Sequence, residues 1–407
     1  MPLEVSAVLD REAAIYLTGE VITIKVNTHG CRDAAVLGRA YKRASSKHCR
    51  SRSAADSQSA TLRRGMVRID LIVTLKNLAP KGRESLAWGS VQLTCERTLG
   101  AQVASRDRPT TAISRSASTV YSSKPNVLFC DAELSHGESR KFTCEIPLPM
   151  HKVPPSFRGH LVRYLNRITV AVQHVRAPIR LMHIPVRIIP SVGVDDNPKV
   201  EQNPFLIGSM KPATISQTMM ATVDEITAPK RAYMFSMTNA QGKVATMTLF
   251  KKTFRLGEDV LGILSFEDSD VPCVQYSVHL ETIEQLAEDV VGEHGEVKAE
   301  GMMNVAVHSN DYVVCAFASE SSFRLSIPMH APPTFHTDTV HLKWRLRFEF
   351  VTSEPLINVV NGEVCKAPID VPIETLAWKV DIYVLPCSPQ NAALTDSSHV
   401  GSASMVL

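Results

Sequence analysis

The chain has 407 residues, 44% of them hydrophobic and 21% charged, a balance typical of a globular protein with two or three domains. The net charge of +3 is too small for overall basicity to indicate nucleic-acid binding. No secretory signal and no apolar run of membrane-spanning length is visible in the sequence. The nine cysteines include no C-x-x-C pair, so we expect reduced thiols in the cytosol.

The first predicted strand follows a glycine–glutamate turn. Gly19 and Glu20 lead into the strand-prone residues 22–26, and Gly257 and Glu258 lead in the same way into residues 261–266. This likeness predicts two lobes that open alike. Residues 184–189 and 378–385 predict that they also close alike.

Two stretches interrupt the strand pattern of the first lobe. Residues 31–64 are Ser/Ala-rich, with eight basic residues and one acidic residue between positions 39 and 64. Residues 97–124 are rich in Ser, Thr and Arg. Both are predicted to be mobile insertions, because they contain too little apolar surface to offset the entropy of ordering.

The basic insertion, residues 39–64, has three interpretations. A solvated loop without function is the simplest, and contact with an anionic membrane surface is the alternative. Nucleic-acid binding is disfavoured because Tyr41 is the only aromatic residue for stacking and no recognisable module surrounds it.

A repeated proline-rich string predicts the architecture. Residues 149–157 read Pro-Met-His-Lys-Val-Pro-Pro-Ser-Phe, and about 180 residues later residues 328–335 read Pro-Met-His-Ala-Pro-Pro-Thr-Phe. A strand-like run follows each, at 162–172, where Asn166 interrupts the alternation, and at 340–350, where apolar and polar residues alternate strictly. Because proline donates no ladder hydrogen bond, the strings are predicted to be corners between strands.

These patterns predict an all-β protein with two tandem immunoglobulin-type β-sandwich lobes. We place the lobes at residues 1–190 and 231–386, a linker at 191–230 and a disordered tail at 387–407.

No catalytic motif, metal site or cofactor site is found in the sequence. There is no phosphate-binding glycine loop, no G-x-S-x-G and no H-E-x-x-H. His151 and His330 recur after Met in both strings, and we interpret them as structural corner residues rather than metal ligands or acid–base groups. Cys130 and Cys144 are interpreted as structural thiols rather than nucleophiles.

Basic residues lie on the polar side of both runs that follow the strings, and one more lies in the first corner. Cross-strand acids on a solvated sheet face would explain them, and a surface for an acidic partner is the alternative. The candidate partner-binding residues are Arg158, Arg163, Arg167, Lys343, Arg345 and Arg347.

Four short strings carry a family resemblance: PPSFRG at 154–159, LGEDV at 256–260, QYSV at 275–278 and KWRLRFEFV at 343–351. They resemble the arrestin-like Rgp subunit of the reduced growth phenotype family. The resemblance covers both lobes and fails in residues 31–64, in 97–124, in the linker and in the tail. It implies two arrestin-like sandwiches.

The resemblance further implies a subunit of the Ric–Rgp guanine-nucleotide exchange factor for the Golgi Rab GTPase of the Rab-six type. It implies retrograde traffic from endosomes to the Golgi, a location in the cytosol and on the peripheral Golgi membrane, and an obligate large Ric-type partner. An exchange factor acts by binding the nucleotide-free GTPase more tightly, which requires no nucleophile or general base.

Two other functions stay open. An arrestin-type cargo or receptor adaptor would use the same fold without exchange activity. The version that recruits ubiquitin ligases through Pro-Pro-x-Tyr is disfavoured, because both corners end in phenylalanine, at Phe157 and Phe335. The third possibility is an unrecognised enzyme, for which no residue constellation is found.

Overall fold

The computed structural model describes residues 3–18, 67–77, 83–100, 103, 117–149, 152–191, 215–287, 303–353, 372–396 and 398–407. Most of these residues lie in β-strands, which confirms the predicted all-β class. No helix in these ranges is long and apolar enough to span a bilayer. The predicted opening strand at 22–26, the insertion at 31–64 and His151 fall outside the described residues.

The first lobe consists of two sheets. Its strands are β1 (Leu3–Ala13), β2 (Ile15–Leu17), β3 (Val67–Asn77), β4 (Glu84–Leu99), β5 (Ser118–Ser122), β6 (Asn126–Leu134), β7 (Ser139–Leu148), β8 (Phe157–Arg158), β9 (Val162–His174), β10 (Arg180–Ile189) and β21 (Val400–Val406). One sheet has the order β21-β1-β3-β7, and the other has the order β2-β10-β9-β4-β5, with β6 on β4 and β8 on β9.

The second lobe repeats this plan. Its strands are β11 (Tyr233–Thr238), β12 (Lys243–Leu249), β13 (Thr253–Arg255), β14 (Asp259–Ser265), β15 (Cys273–Leu286), β16 (Met303–Val314), β17 (Glu320–Ser326), β18 (Phe335–His336), β19 (Val340–Ser353) and β20 (Ile373–Leu385). One sheet has the order β11-β12-β14-β17, and the other has the order β13-β20-β19-β15-β16, with β18 on β19. The helices are α1 (Ile215–Thr227) and α2 (Pro389–Thr395).

Each lobe has a hydrophobic core between its two sheets. In β19 the alternating residues are buried while their neighbours face outward, as period-two patterning dictates. The first core combines side chains of β1, β3 and β7 with those of β4, β9 and β10. The second combines β12, β14 and β17 with β15, β19 and β20. The two lobes are therefore sandwiches in the predicted sense.

The lobes open and close alike. β2 runs parallel to β10, and β13 runs parallel to β20, so in each lobe a short strand from the opening segment joins the closing strand. Gly257 has φ +85, which explains why glycine follows the opening strand of the second lobe.

Two predictions of irregular structure are wrong at residues that the structure describes. Both ends of 97–124 belong to the sheet, since β4 continues to Leu99 and β5 pairs with β4; Thr119, Val120 and Tyr121 are good strand formers. The predicted linker contains α1, whose residues Met219 and Val223 are buried.

The predicted disordered tail is the second error. Ser388 caps α2 by accepting a hydrogen bond from the backbone N–H of Asn391 at 3.2 Å. β21 then pairs antiparallel with β1 of the first lobe. Ala403, Met405 and Leu407 pack against the first core. This alternation of apolar residues supplies the burial that a composition rich in serine and alanine conceals.

Candidate partner-binding surface

The two proline-rich corners have the same hydrogen bonds. The backbone N–H of Ser156 donates to Ile188 O at 2.8 Å, and that of Thr334 donates to Val384 O at 2.8 Å. The hydroxyl of Ser156 accepts from the Ile188 N–H at 2.9 Å, and that of Thr334 accepts from the Val384 N–H at 3.0 Å. A hydroxyl residue after the second proline therefore ties each corner to the closing strand.

In each corner, a side chain of the strand that follows donates a hydrogen bond to a proline carbonyl. Asn166 Nδ2 donates to Pro154 O at 3.0 Å, and Trp344 Nε1 donates to Pro332 O at 3.1 Å. Asn166 and Trp344 are both fully buried. Asn166 interrupts the apolar pattern of β9 because its amide replaces the indole as the donor to a proline carbonyl.

The two corners meet at the boundary between the lobes. The rings of Phe157 and Phe335 lie edge to face with centroids 5.0 Å apart. The hydroxyls of Tyr164 and Thr337 are 3.0 Å apart across the same boundary. A third apolar cluster surrounds these contacts, and its buried members are Cys95, Val103, Phe157, Leu161, Val162, Tyr164, Leu286, Phe335, Val340 and Leu342. The repeated string therefore builds the junction of the lobes.

Two residues at equivalent positions, one in each lobe, reach across the junction in opposite directions. Tyr164 pairs with Phe157 and Arg97, while Leu342 pairs with Phe335 and Glu284, so Arg97 and Glu284 occupy equivalent positions in the two lobes. Each reaches into the loop before β9 or β19 of the opposite lobe.

Glu284 makes the stronger of these crossing contacts. Its carboxylate accepts hydrogen bonds from the backbone N–H groups of His160, Leu161 and Val162 at 2.7, 2.9 and 2.7 Å. Arg97 Nη1 donates to Thr339 Oγ1 at 2.6 Å. The side chain of Glu284 is buried, so its charge is balanced by three oriented backbone donors rather than by water.

A cleft lies on each side of the junction. The first, of about 560 Å³, is lined by Arg158, Glu284 and His330, among others. The second, of about 790 Å³, is lined by Lys152, His336 and Lys343, among others. His330 is exposed, and its backbone carbonyl accepts a hydrogen bond from Arg187 at 3.1 Å.

Two of the six predicted partner-binding residues are engaged within the second lobe. Arg345 Nε and Arg347 Nε donate to the carboxylate of Glu281 at 2.8 and 2.6 Å, and Arg347 also pairs with Glu349. Burial alone would raise the pKa of Glu281, but the hydrogen bonds from Arg347 and Arg345 outweigh it and hold the pKa below its ordinary range. These arginines neutralise a buried carboxylate.

In the first lobe Arg167 has the same kind of partner. It pairs with Glu96 of the adjacent strand, and both side chains are about a quarter exposed. For Arg167, Arg345 and Arg347 the structure thus supplies the cross-strand acids that a solvated sheet face requires.

The remaining three predicted residues have no such partner among the residues that the structure describes. Arg158, Arg163 and Lys343 are exposed and form no ion pair with any residue in the described ranges. Arg158 and Arg163 lie directly opposite each other on β8 and β9, an unfavourable placement of like charges. Arg158 lines the first cleft and Lys343 the second, so the six residues do not form one surface.

Sequence reasoning missed three buried or half-buried acidic residues that bind partners from other segments. Glu281 and Glu284 lie in a segment without a catalytic motif, and their partners come from β19 and from residues 160–162 of the first lobe. Asp396, in the predicted tail, pairs with Arg187 at 2.9 Å. Burial opposes ionisation of Asp396, yet hydrogen bonds from Ser398 and Arg187 lower its pKa far below the ordinary range.

The cysteines and histidines of the described ranges do not form a metal cluster of three or more ligands. Cys144 is buried and Cys130 is exposed. Burial, with a smaller contribution from the charge of Glu96, raises the pKa of Cys95 to about 12, so this thiol stays protonated at neutral pH.

The chain is similar to one family over both lobes. A model of the family described as Rgp1 matches residues 44–198 and 201–353. The protein of Homo sapiens named RAB6A-GEF complex partner protein 2 is 31% identical over 361 residues, which cover 80% of this chain and 92% of that protein. The Bos taurus protein of the same name is 30% identical over 350 residues, covering 77% and 88%.

Proposed function

Because the chain belongs to the Rgp1 family, we propose that it is a subunit of a guanine-nucleotide exchange complex for a Rab GTPase of the Rab-six type. The observation that carries this proposal is the similarity to two proteins whose name makes them partners in a RAB6A-GEF complex, over most of both chains.

The role we propose is that of a scaffold without catalytic residues of its own. Nucleotide exchange requires that the factor bind the nucleotide-free GTPase more tightly than the loaded one, which protein surface alone can achieve. Two sandwiches joined by a buried junction suit such a role. Glu284 and the Phe157–Phe335 contact hold the lobes in one arrangement, so surface residues of both lobes keep fixed relative positions. The obligate partner would be a large Ric-type subunit.

For the contact with an acidic partner surface we propose Arg158, Arg163 and Lys343. All three are exposed, and none is neutralised by an acid among the residues with described positions. The close approach of Arg158 and Arg163 across β8 and β9 would be relieved by a partner carboxylate. Arg167, Arg345 and Arg347 contribute less in this proposal, because binding would require them to leave Glu96 or Glu281.

The proposed site of action is the cytosolic surface of the Golgi in retrograde endosome-to-Golgi traffic. The basic insertion at 39–64 would add attraction to an anionic membrane surface. The alternative function is that of an arrestin-type adaptor without exchange activity, and a nucleotide-exchange assay distinguishes the two.

The test is to purify the full chain alone and with its co-purifying partner, and to follow the loss of labelled GDP from a panel of Rab GTPases. We expect the complex to accelerate release from the Rab-six type and the isolated chain to be weak or inactive. If no large partner co-purifies and no Rab exchanges faster, the proposal is wrong. Strong exchange by the isolated chain would contradict the scaffold role.

A matched pair of variants tests the surface. The double variant Arg158→Glu with Arg163→Glu should lower partner or GTPase affinity at least tenfold, because two attractive charges become repulsive. The control Lys124→Glu with Lys230→Glu changes the net charge equally at two other exposed positions. Equal affinities for the two double variants would refute the assignment of Arg158 and Arg163 and leave the exchange function untouched.

A further inference from the structure

The connection between β9 and β10 is an exposed apolar tip. All seven residues from 175 to 181 are exposed, and the apolar side chains of Val175, Ile179 and Leu181 retain 57%, 48% and 56% of their accessible surface. β9 begins at the lobe junction, and its 13 residues extend over roughly 40 Å, so the tip lies at the far end of the first lobe.

The composition of this tip is unusual for a solvent-exposed turn. Turns favour Gly, Pro, Asn, Asp and Ser, and Pro178 is the one residue of this group in residues 175–181. They contain two arginines, Arg176 and Arg180, and no acidic residue. Neither arginine forms an ion pair with the parts of the chain that the structure describes. The tip therefore presents three apolar side chains together with two positive charges that no described acidic residue pairs with.

The backbone of the tip is held in place at its base. His174 Nε2 lies 2.9 Å from Glu84 Oε2, and His174 Nδ1 accepts a hydrogen bond from the Arg176 N–H at 3.1 Å. The Ala177 N–H donates to His174 O at 3.1 Å, and the Val175 N–H donates to Ser85 O at 3.2 Å. These contacts order the turn without using its apolar side chains, which stay available to a ligand.

We propose that residues 175–181 insert into the headgroup and upper acyl region of an anionic lipid bilayer. Arg176 and Arg180 would bind lipid phosphates while Val175, Ile179 and Leu181 enter the acyl boundary. The area of the tip favours lipid over a protein partner. A stable protein interface takes about 20–30 residues a side, far more than seven residues can supply. The inference goes beyond the proposed exchange function and does not depend on it.

Vesicle flotation with the full chain tests the proposal. The vesicles are phosphatidylcholine alone and phosphatidylcholine with about 30% phosphatidylserine. We expect binding to the anionic vesicles, reduced at least about twenty-five-fold in Arg176→Glu with Arg180→Glu, since each basic residue near such a surface contributes about fivefold and the introduced carboxylates add repulsion. Ile179→Asp with Leu181→Asp should reduce binding at least tenfold. The control Lys124→Glu with Lys230→Glu should bind as the wild type does, because these exposed lysines lie elsewhere.

A depth measurement separates the tip from the basic insertion at 39–64. Ile179→Trp should give fluorescence that brominated acyl chains quench, while Met234→Trp, at an exposed position of the second lobe, should not be quenched. Lack of quenching at residue 179, or equal binding to neutral and anionic vesicles, would overturn the proposal. It would also be overturned if the tip variants abolished co-purification of the large partner and left vesicle binding unchanged, because the tip would then be a protein interface.

Discussion

At the scale of single residues, two buried glutamates lie on opposite faces of one strand of the second lobe and bind different partners. Glu281 and Glu284 are three positions apart in β15, so their side chains leave the strand on opposite faces. Glu281 meets two arginines of β19, and Glu284 crosses to the first lobe. A helical turn would have placed both on one face. The division of roles therefore depends on this segment being a strand.

Replacing Glu284 by glutamine should loosen the junction. The amide keeps the size but not the charge, and its NH₂ group would face backbone donors where the carboxylate accepted three N–H groups. We expect the free energy of unfolding to fall by about 2–3 kcal/mol, because charge-assisted hydrogen bonds of a buried group are lost. Urea denaturation measures this. Glu374→Gln, at an exposed position of β20, is the control and should change little. Similar stability of both variants would contradict the role of Glu284.

Glu281 should make the stability of the second lobe sensitive to acid. Its pKa lies below the ordinary value of 4.5, so the unfolded chain takes up the proton first as the pH falls. The contribution of the ion pairs is complete above about pH 4.5 and is lost as the pH drops through the lower folded value. The Glu281→Gln variant lacks this contribution at every pH.

The gap in the free energy of unfolding between the wild type and Glu281→Gln should therefore depend on pH. At about pH 7 the variant should be roughly 3 kcal/mol less stable, because Arg345 and Arg347 are left without their main counter-charge. The gap should narrow towards about pH 3. Denaturation curves at several pH values measure it, and the difference between the proteins removes the acid response of other carboxylates such as Asp396. A gap independent of pH would contradict the depressed pKa.

At the scale of elements, the C-terminal segment completes the first lobe although it follows the second. β21 occupies the edge of its sheet that β11 occupies in the second lobe. α2 lies against β2, and Asp396 anchors the turn after α2 to Arg187. The first lobe is thus closed by residues nearly 400 positions from its first strand, which couples its edge to the end of the second lobe.

Gly401 should be essential for the docking of β21. A Cβ atom at this position would lie 2.0 Å from the backbone oxygen of Arg11, and a backbone atom of a strand cannot move away easily. Gly401→Ala should therefore destabilise β21 by about 2 kcal/mol and increase hydrogen exchange in β21 and in the facing part of β1. Ser402→Ala, with an exposed side chain, is the control. Unchanged exchange in Gly401→Ala would show that the edge adapts.

Elements were predictable from sequence where their burial was visible in the pattern itself. The strict alternation of residues 340–350 gave β19, and the proline-rich strings marked both corners. β21 was missed because its pattern of Ala403, Met405 and Leu407 is short and becomes meaningful only when β1 is beside it. The partners of the arginines were missed for the same reason, since Glu281 and Arg345 meet through strand register.

At the scale of the whole molecule, the repeat of the sequence appears as approximate symmetry of the junction. Phe157 and Phe335 touch, Arg97 and Glu284 cross in opposite directions, and a cleft lies on each side. The symmetry of the junction is not exact, because the carboxylate of Glu284 accepts three backbone hydrogen bonds whereas Arg97 donates to one hydroxyl. The lobes are consequently joined through both an apolar cluster and polar crossings, and we expect them to unfold together.

A double-mutant cycle on Phe157 and Phe335 tests this coupling. Each change to leucine removes the edge-to-face contact while retaining an apolar side chain, so the cycle isolates the pair. We expect a coupling energy of about 0.5–1.5 kcal/mol, the range for such aromatic pairs. The double variant should keep one calorimetric transition, which the cycle requires, because Glu284 and Arg97 still cross the junction. The pair Phe129 and Phe142, which touch within the first lobe, serves as the control cycle and should leave a single transition. If both cycles leave one transition and Phe157 and Phe335 show no coupling energy, the polar crossings alone hold the lobes together.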